Sequence, residues 1–305
     1  MNVWRDSTAS RRGGAGKGKY MKIWMTGASG FLGARVREAL RRSHAVEAPG
    51  SWDCEISDYA AVRRAIQEAA PQLVVHCAAM GDISRCEADP RRAMAVNVAG
   101  TRHVASLCAE LGIPLIAVSS DQVYNYFTME PLDEYVSPAP TNFYGKTKVW
   151  GEEIVRDLVP RHHILRLSWQ YGRREAGLPS SRDGLVEHLA DCLEQGCPAS
   201  FTPGARQNIT YIYDTVAVIC AMAEGALPYG IYNLASENTR TEYETKAYIL
   251  RELGASPKEI QRLLVAKEDA APFDLRAAPR NLALAGYRFP SFEEGLEHCM
   301  GGKTI

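Results

Sequence analysis

Long apolar runs, a strong net charge and metal-binding cysteine patterns are all missing from this sequence of 305 residues. No run of about 18 apolar residues occurs, which argues against a membrane-spanning helix. The 35 basic and 36 acidic side chains leave a formal net charge of -1, so we expect neither a nucleic-acid nor a membrane partner. None of the eight cysteines belongs to a C-x-x-C pair, and we predict no metal site.

The cysteines favour a reduced, cytoplasmic protein, and the histidines give no sign of a metal site. Several cysteines lie in apolar stretches, where a thiol behaves as a small hydrophobic group rather than as half of a disulfide. The adjacent His162 and His163 have no cysteine or carboxylate cluster at metal-ligand spacing. We therefore expect these two histidines at a solvent-exposed edge and not at a metal ion.

Residues 1–20 differ in charge from the rest of the chain. They carry five basic side chains and one acidic one, which leaves 30 basic and 35 acidic side chains elsewhere. Residues 13–19 read G-x-x-x-x-G-K, most of a phosphate-binding P-loop. However, Tyr20 stands where Ser or Thr should bind magnesium, and no strand precedes the motif. Their glycine and charge content predicts a disordered basic extension.

Strand and helix patterns alternate along the chain from residue 22. Apolar strand patterns cover residues 22–27, 44–48, 73–79, 115–120 and 163–168, and helical patterns cover residues 33–42, 59–70, 93–111 and 144–158. This alternation predicts an α/β fold with a Rossmann-type doubly wound parallel sheet. It weakens after about residue 170. We therefore expect an NAD(P)-binding domain over residues 21–168 and a smaller C-terminal lobe, residues 169–305, that mainly binds substrate.

A glycine-rich turn follows the first predicted strand. Gly27, Gly30 and Gly33 form the pattern G-x-x-G-x-x-G between a strand and a helix. The first glycine allows a tight turn, the second lets backbone N–H groups approach a pyrophosphate, and the third lets helix and strand pack closely. An ordinary βα turn can share this spacing. In the first βαβ unit, however, the motif predicts a dinucleotide site at the helix N-terminus.

The end of the second predicted strand favours NADP(H) over NAD(H). An acidic residue there would bind the ribose 2′-hydroxyl of NAD. Glu47 lies inside the strand instead, and the strand end reads Pro49-Gly50-Ser51. Because no acid would repel a 2′-phosphate, we expect Arg35 and Ser51 to accommodate one, with NAD(H) as the alternative cofactor.

Tyr144 and Lys148 lie four residues apart, on one face of a predicted helix. A phenol with a pKa near ~10 is a poor acid–base group at neutral pH, and a nearby ammonium lowers that pKa. Ser120 ends a buried strand, where its hydroxyl could bind a substrate carbonyl. Such a Tyr–Lys pair alone is typical of a helix surface. After a dinucleotide turn and a strand ending in serine, it predicts a proton-transfer site.

These residues resemble those of the extended short-chain dehydrogenase/reductases, and most of all the dTDP-4-dehydrorhamnose reductase family. The likeness extends from Met21 to about Gly295. Beyond the glycine turn and the Tyr–Lys pair, its landmarks in chain order are Glu55-Ile56-Ser57-Asp58, Cys77-Ala78-Ala79, Asn97-Val98-Ala99-Gly100-Thr101, Ser119-Ser120-Asp121, Arg166-Leu167-Ser168-Trp169 and Pro279-Arg280-Asn281.

The resemblance implies specific roles for individual residues. Ser120, Tyr144 and Lys148 would be the catalytic triad, with Tyr144 protonating the oxygen of a 4-keto group as NAD(P)H delivers hydride. Asp121, Gln122 and Trp169 would lie on the substrate side. The implied cofactor-binding residues are Gly27, Ser29, Gly30, Phe31, Leu32, Gly33, Ile56, Cys77, Ala78, Ala79, Asn97, Tyr144 and Lys148.

Two of these residues have plainer alternatives. Trp169 considered alone fits a core aromatic, and Asn97 fits a residue that bridges backbone groups within a buried helix. The sequence also departs from the usual family pattern. Gln122 replaces a tyrosine, Asn125-Tyr126 replaces an Asp-Gly pair, and Ile209 replaces a proline.

The predicted function is the NADPH-dependent reduction of a nucleotide-linked 4-keto-6-deoxy sugar. One alternative is a nucleotide-sugar epimerase or dehydratase, although such relatives usually carry an acid near the position of Gly50. Another is a non-catalytic NADP-binding regulatory subunit that resembles the beta subunit of methionine adenosyltransferase. The retention of Ser120, Tyr144 and Lys148 favours an enzyme, because a binding module needs no acid–base pair. The sequence leaves a homodimer open.

Overall fold

The computed structural model describes residues 20–124, 131–179 and 184–301. The predicted basic extension, apart from Tyr20, lies outside these residues, as does the Asn125-Tyr126 pair. Among the described residues, none of the helices combines the length and the apolar character needed to cross a membrane.

The described strands and helices alternate over the first half of the chain. The strands are β1 (Lys22–Thr26), β2 (Ala45–Glu47), β3 (Leu73–His76), β4 (Leu115–Ser120), β5 (His162–Leu167), β6 (Trp169–Tyr171), β7 (Ala199–Phe201), β8 (Arg206–Gln207), β9 (Ile209–Tyr211), β10 (Gly230–Leu234), β11 (Leu264–Ala266) and β12 (Asp274–Leu275). The helices are α1 (Phe31–Arg41), α2 (Tyr59–Ala69), α3 (Ile83–Ala88), α4 (Pro90–Ala93), α5 (Thr101–Leu111), α6 (Phe143–Leu158), α7 (Leu185–Gln195), α8 (Ile212–Ala223), α9 (Glu242–Glu252), α10 (Pro257–Leu263), α11 (Arg280–Leu284) and α12 (Phe292–Met300).

Six of the strands form one parallel sheet in the order β10-β5-β4-β3-β1-β2. The chain winds outward from β1 in both directions, which confirms the predicted doubly wound α/β fold. Ligands of such sheets bind outside the carboxyl ends of the strands, where the winding reverses. That point lies between β1 and β3, whose last residues, Thr26 and His76, are paired in register.

Helices cover both faces of this sheet. Ile23 and Met25 of β1 belong to the hydrophobic cluster that includes α1 and α8. Trp24, which points to the opposite face, belongs to the cluster that includes α2, α5 and α6. Strands buried on both faces explain the nearly continuous apolar patterns of β3 and β4.

The predicted helix over residues 93–111 differs from the structure at its start. Asp89 accepts the backbone N–H of Arg92 and Pro90 occupies the first turn, so the helical segment begins at α4. It then widens into a π-helical stretch, Met94–Gly100, before α5. The short helix α3, six residues long and capped by Asp82, was not predicted from the sequence.

The chain after residue 168 is not wholly separate from the large sheet. β10 pairs with β5 at the sheet edge, and α8 packs against α1. The remaining strands form the pairs β6–β9, β7–β11 and β8–β12. The domain division at residue 168 stays a prediction. Residues 212–234 contribute α8 and β10 to the large sheet and the helices that cover it.

The histidine at the start of β5 corrects one expectation. His163 is buried beside the rings of Tyr229 and Tyr232 because β10 covers this edge. Burial lowers its pKa to about 4, so the expected solvent-exposed position was wrong for His163. All eight cysteines are free thiols. Within the described ranges, no group of three His, Cys, Asp or Glu side chains is placed to hold a metal ion.

Candidate active site

The glycine turn joins β1 to α1 through close backbone packing. Gly27 has a φ of +70°, and a Cβ on it would lie 2.5 Å from the backbone nitrogen of Ala78. A Cβ on Gly33 would lie 2.1 Å from the carbonyl oxygen of Gly27. Gly30 precedes α1, and no side chain caps the helix there. The first N–H groups of α1 are therefore available to a phosphate.

A cleft of about 270 Å³ opens at this turn. It extends to Ser51, just beyond β2. These are the two places where a Rossmann site holds the pyrophosphate and the adenosine ribose. The predicted cofactor residues that line the cleft are Gly27, Ser29, Gly30, Ile56, Cys77, Ala78 and Ala79.

Other predicted cofactor residues do not line this cleft. Residues 31–33 belong to α1. Asn97 is 1 % exposed, and its amide is used within the protein. Its Oδ1 accepts the Met80 N–H at 2.8 Å, and its Nδ2 donates to Met80 O at 3.1 Å and to Thr147 Oγ1 at 3.0 Å. The structure thus shows the bridging contacts of Asn97, and its contact with the cofactor stays a prediction.

Arg35 is turned away from the cleft and is fully buried. Its Nε donates to Glu175 Oε1 at 3.0 Å, and its Nη1 donates to the carbonyl oxygens of Phe31 and Pro179 at 2.9 and 3.0 Å. Its Nη2 donates to Arg173 O at 3.2 Å. Since these bonds tie α1 to the segment after β6, the expectation that Arg35 accommodates a 2′-phosphate was wrong.

Arg92 is the cationic side chain that lines the cleft among the described residues. Its Nη2 lies 3.0 Å from Glu55 Oε2, across the cleft wall. Val96, one helical turn further on, lines the cleft as well. The spacing of Arg92 and Val96 could have revealed this face, but the predicted helix began one residue too late to include it.

Ser120, Tyr144 and Lys148 meet at the carboxyl end of β4. The Tyr144 hydroxyl faces the Ser120 side chain, which favours the ionised form of the phenol. The Ser120 hydroxyl donates to Asp121 Oδ1 at 3.1 Å. Lys148 is 7 % exposed and donates from Nζ to Val118 O at 2.6 Å. Tyr144 and Lys148 do not line the cleft itself, and their cofactor contacts stay predictions.

Two residues at the start of α6 set the position of Tyr144. Asn142 caps the helix by accepting the Gly145 N–H at 2.7 Å, and its Nδ2 donates to Gln122 Oε1 at 2.8 Å. A Cβ on Gly145 would lie 2.1 Å from Gln122 O. The helix therefore packs directly against the backbone that follows β4. This role of Gly145 was not predicted, although a lone glycine in a helical pattern often marks such packing.

Burial sets the protonation of the titratable groups at this edge. It raises the pKa of the Tyr144 phenol, although the hydrogen bond with Ser120 acts in the opposite direction. It also raises the pKa of Asp121 to about 7 and lowers the pKa of Lys148 to about 8. The prediction of a lowered Tyr144 pKa was therefore wrong, because desolvation dominates. The phenol keeps its proton at neutral pH.

A chain of hydrogen bonds begins at the glycine turn. Thr26 Oγ1 lies 2.8 Å from His76 Nδ1, and His76 Nε2 lies 3.0 Å from Thr101 Oγ1. The Thr101 hydroxyl donates to Asn97 O at 2.7 Å, so His76 donates from Nε2 and accepts at Nδ1. Burial lowers the pKa of His76 to about 3, and the ring is neutral.

The same chain of hydrogen bonds reaches the helix that carries Tyr144. Asn97 donates to Thr147 Oγ1, and the Thr147 hydroxyl donates to Tyr144 O at 2.7 Å. The π-helical stretch places Asn97 between these partners. The spacing between the glycine turn and Tyr144 therefore depends on a continuous set of buried, uncharged contacts.

A buried ion pair holds α6 against β4 and β5. Glu152 accepts the Ser119 hydroxyl at 2.6 Å, and its Oε2 lies 2.7 Å from Arg166 Nη2. Arg166 also donates to the Tyr124 hydroxyl at 2.8 Å. Removing one partner of a buried pair leaves an uncompensated charge. The pair therefore fixes the backbone next to Ser120.

The predicted substrate-side residues lie at the same edge of the sheet. Asp121 and Gln122 form a 3₁₀ turn directly after Ser120. Trp169 begins β6, immediately beyond β5, and is 37 % exposed. The alternative of a core aromatic was therefore wrong for Trp169.

A doubly wound sheet with this nucleotide turn and a Ser–Tyr–Lys group defines an extended short-chain dehydrogenase/reductase, an NAD(P)-dependent oxidoreductase. The family model described as the RmlD substrate binding domain matches residues 21–289. The chain belongs to that family.

Curated relatives and solved structures agree with this assignment. The dTDP-4-dehydrorhamnose reductase of Streptomyces griseus is 34 % identical over 242 residues, which is 78 % of each chain. The probable low-salt glycan biosynthesis reductase Agl14 of Haloferax volcanii is 32 % identical, covering 82 % of this chain and 86 % of that protein. The Bacillus anthracis dTDP-4-dehydrorhamnose reductase, solved in complex with NADP, superimposes with a TM-score of 0.82 at 25 % identity. That match covers 93 % of this chain and 100 % of the other.

Proposed function

We propose that this enzyme uses NADPH to reduce the 4-keto group of a nucleotide-linked 4-keto-6-deoxy sugar. The observation that carries the proposal is the position of Tyr144 beside Ser120, at the carboxyl end of β4, with Lys148 one helical turn further along α6. The relatives named dTDP-4-dehydrorhamnose reductase support the choice of sugar. The NADP-bound Bacillus anthracis structure supports the choice of cofactor.

The cleft at the glycine turn fits NADP(H). Gly27 and Gly33 leave no side chain between the turn and its neighbours, and the uncapped start of α1 favours a pyrophosphate. Ser51, a small neutral residue, lines the cleft just beyond β2, where a Rossmann site holds the 2′ substituent. When bound, NADPH supplies the hydride for the reduction.

Tyr144 acts as the general acid in this proposal. Its raised pKa keeps the proton on the hydroxyl, ready for transfer to the carbonyl oxygen of the sugar, which Ser120 also hydrogen-bonds. Lys148, in the next turn of α6, is positively charged below pH of about 8, the value of its pKa. This charge stabilises the phenolate that remains after the proton leaves.

The finer assignments of the substrate side follow from the same proposal. Asp121, Gln122 and Trp169 bind the sugar, and residues 169–305 supply most of the remaining substrate lobe. Gln122 offers an amide where the family usually has an aromatic ring, so the sugar pocket has a hydrogen-bonding side chain at that position. A cytoplasmic location, a homodimer and the lack of a nucleic-acid partner stay predictions from the sequence.

The test follows NADPH absorbance with dTDP-4-keto-6-deoxy sugars for the wild type and Tyr144→Phe. Phenylalanine keeps the ring and removes the proton, so kcat should fall by roughly 10²- to 10⁴-fold. NADPH affinity should change by less than about threefold, since the lost contact acts in the transition state. NADPH oxidation that survives the substitution unchanged would refute Tyr144 as the acid.

The same assay separates the alternatives. Tight NADPH binding without oxidation by any 4-keto sugar would support a regulatory subunit. Conversion of a nucleotide sugar without net NADPH consumption would support an epimerase or dehydratase.

A further inference from the structure

We propose that Arg92 recognises the 2′-phosphate of NADP(H), an inference that rests on the cofactor of the proposed function. Among the described residues that line the cleft, Arg92 is the one cation and Glu55 the one carboxylate. A phosphate dianion needs a cationic partner or several N–H donors. Arg35, the partner expected from the sequence, is buried and bonded elsewhere.

The backbone of α4 directs Arg92 into the cleft. Asp89 Oδ1 accepts the Arg92 backbone N–H at 2.9 Å and fixes the first turn of the helix. The guanidinium then reaches Glu55 on the cleft wall, at 3.0 Å. Pro49 and Ser51, where the chain leaves β2, line the same cleft. The end of β2 is where a Rossmann site holds the adenosine ribose and its 2′ substituent.

Arg92 is free to exchange its partner when a phosphate arrives. The side chains of Arg92 and Glu55 are 49 % and 40 % exposed, and ion pairs at such positions contribute little to stability. An arginine–phosphate contact can be bidentate and is stronger than a single exposed hydrogen bond. The 2′-phosphate would therefore compete with Glu55 for the guanidinium.

Asp53 is the group that works against this choice. Asp53 lies two residues after Ser51. Its carboxylate is next to Gly50, since Oδ2 would lie 3.4 Å from a Cβ placed on that glycine. An acid near the end of the second strand favours the ribose hydroxyls of NAD. Selectivity for NADP(H) then depends on the attraction of Arg92 exceeding the repulsion of Asp53 and Glu55.

The experiment measures binding of NADPH, NADH, 2′,5′-ADP and 5′-AMP by calorimetry to the wild type, Arg92→Met and Arg91→Met. Arg92→Met should weaken NADPH and 2′,5′-ADP by roughly 10- to 100-fold, the loss expected for charge-assisted bonds. NADH and 5′-AMP should change by less than about threefold. Arg91, the exposed neighbour that does not line the cleft, is the matched control and should leave all four affinities unchanged.

A second variant tests the competition directly. Glu55→Gln removes the carboxylate partner of Arg92, so it should strengthen NADPH binding relative to NADH by roughly threefold or more. Arg92→Lys should keep part of the preference for NADPH, because lysine retains the positive charge but lacks the paired N–H donors of the guanidinium.

Two outcomes would overturn the inference. Unchanged NADPH affinity in Arg92→Met would exclude a phosphate contact, and an equal loss for NADPH and NADH would assign Arg92 to the adenine or to the fold. The binding of 2′,5′-ADP and 5′-AMP tests this proposal independently of the sugar reduction. Selective loss of 2′,5′-ADP binding in a protein that reduces no 4-keto sugar would refute the proposed function and leave the role of Arg92 intact.

Discussion

The glycine turn and the sheet edge at Ser120 contribute different kinds of groups to the same site. The turn offers backbone: Gly27 and Gly33 have no side chains, and the N–H groups at the start of α1 are uncapped. The edge offers side chains, and burial decides which of them carry protons. A binding surface made of backbone is insensitive to pH, whereas one made of phenol, ammonium and carboxyl groups is not.

The two regions nevertheless share one requirement. A Cβ on Gly33 would lie 2.1 Å from Gly27 O, and a Cβ on Gly145 would lie 2.1 Å from Gln122 O. At the turn, the close approach shapes the cofactor site. At the edge, it brings α6, and with it Tyr144, against the end of β4. Glycine thus serves binding in one region and alignment for chemistry in the other.

The largest expected effects come from Gly33→Ala and Gly145→Ala. Gly33→Ala should cost about 3 kcal/mol in the free energy of unfolding. The added methyl group would collide with backbone atoms of Gly27 and Ala28, which cannot move aside as a flexible side chain could. It should also weaken NADPH binding by roughly 100-fold, since the phosphate site is backbone. Gly145→Ala should instead lower kcat by more than about 10-fold, with NADPH affinity within about threefold. Denaturant unfolding, NADPH titration and steady-state kinetics check these values.

Gly81→Ala is the control for both variants, because nothing lies within 4 Å of its Cβ position. It should resemble the wild type in all three measurements. If Gly145→Ala lost cofactor affinity and turnover together, the separation of the two regions would be wrong.

A smaller effect is expected from Asp121→Asn, as a change in how stability depends on pH. Burial raises the pKa of Asp121 to about 7, above its unfolded value near ~3.9. The protonated form is therefore the stabilising one: its contribution is complete below pH of about 4 and is lost as the pH rises through about 7. The wild type should lose on the order of 4 kcal/mol relative to Asp121→Asn over this range.

Thermal unfolding of the two proteins between pH 4 and pH 8 measures this difference, as does urea unfolding. Asparagine keeps an oxygen that accepts the Ser120 hydroxyl, so packing should be preserved. Parallel pH profiles for the two proteins would show that Asp121 does not titrate in this range.

The smallest effect concerns the charge of Lys148. Burial lowers its pKa to about 8, so the ammonium loses its proton as the pH rises above that value. NADPH affinity should fall by up to about 10-fold between pH 7 and pH 9 in the wild type, because a cation that attracts the cofactor is lost. Fluorescence titration should show a flat profile for Lys148→Met. An equally steep decline in Lys148→Met would place the titrating group elsewhere.

The same contrast explains what the sequence could predict. The glycine turn is local, and its three glycines, the strand before it and the helix after it were all visible in the spacing. The common location of Ser120, Tyr144 and Lys148 could also be predicted, because a strand end and a helix face have fixed geometry. Their catalytic roles stay predictions. The doubly wound sheet followed from the alternation of strand and helix patterns.

The errors came from contacts between distant segments. Arg35 sits on the first helix at a suitable distance in sequence, yet its guanidinium is bound by the chain after β6. Arg92 escaped notice because the cap at Asp89 starts α4 earlier than the apolar pattern suggests. The direction of the Tyr144 pKa was wrong because burial cannot be read from a pair of residues on one helix.

The hydrogen bonds from Thr26 through His76 to Thr101, and onward to the backbone of Tyr144, contain no group that changes charge near neutral pH. His76 has a pKa of about 3, and its other partners are hydroxyls and amides. A change of pH can therefore alter how well the enzyme holds a proton without altering how far its proton donor stands from its cofactor. The protonation of the site therefore responds to pH, whereas the distance between the glycine turn and Tyr144 does not.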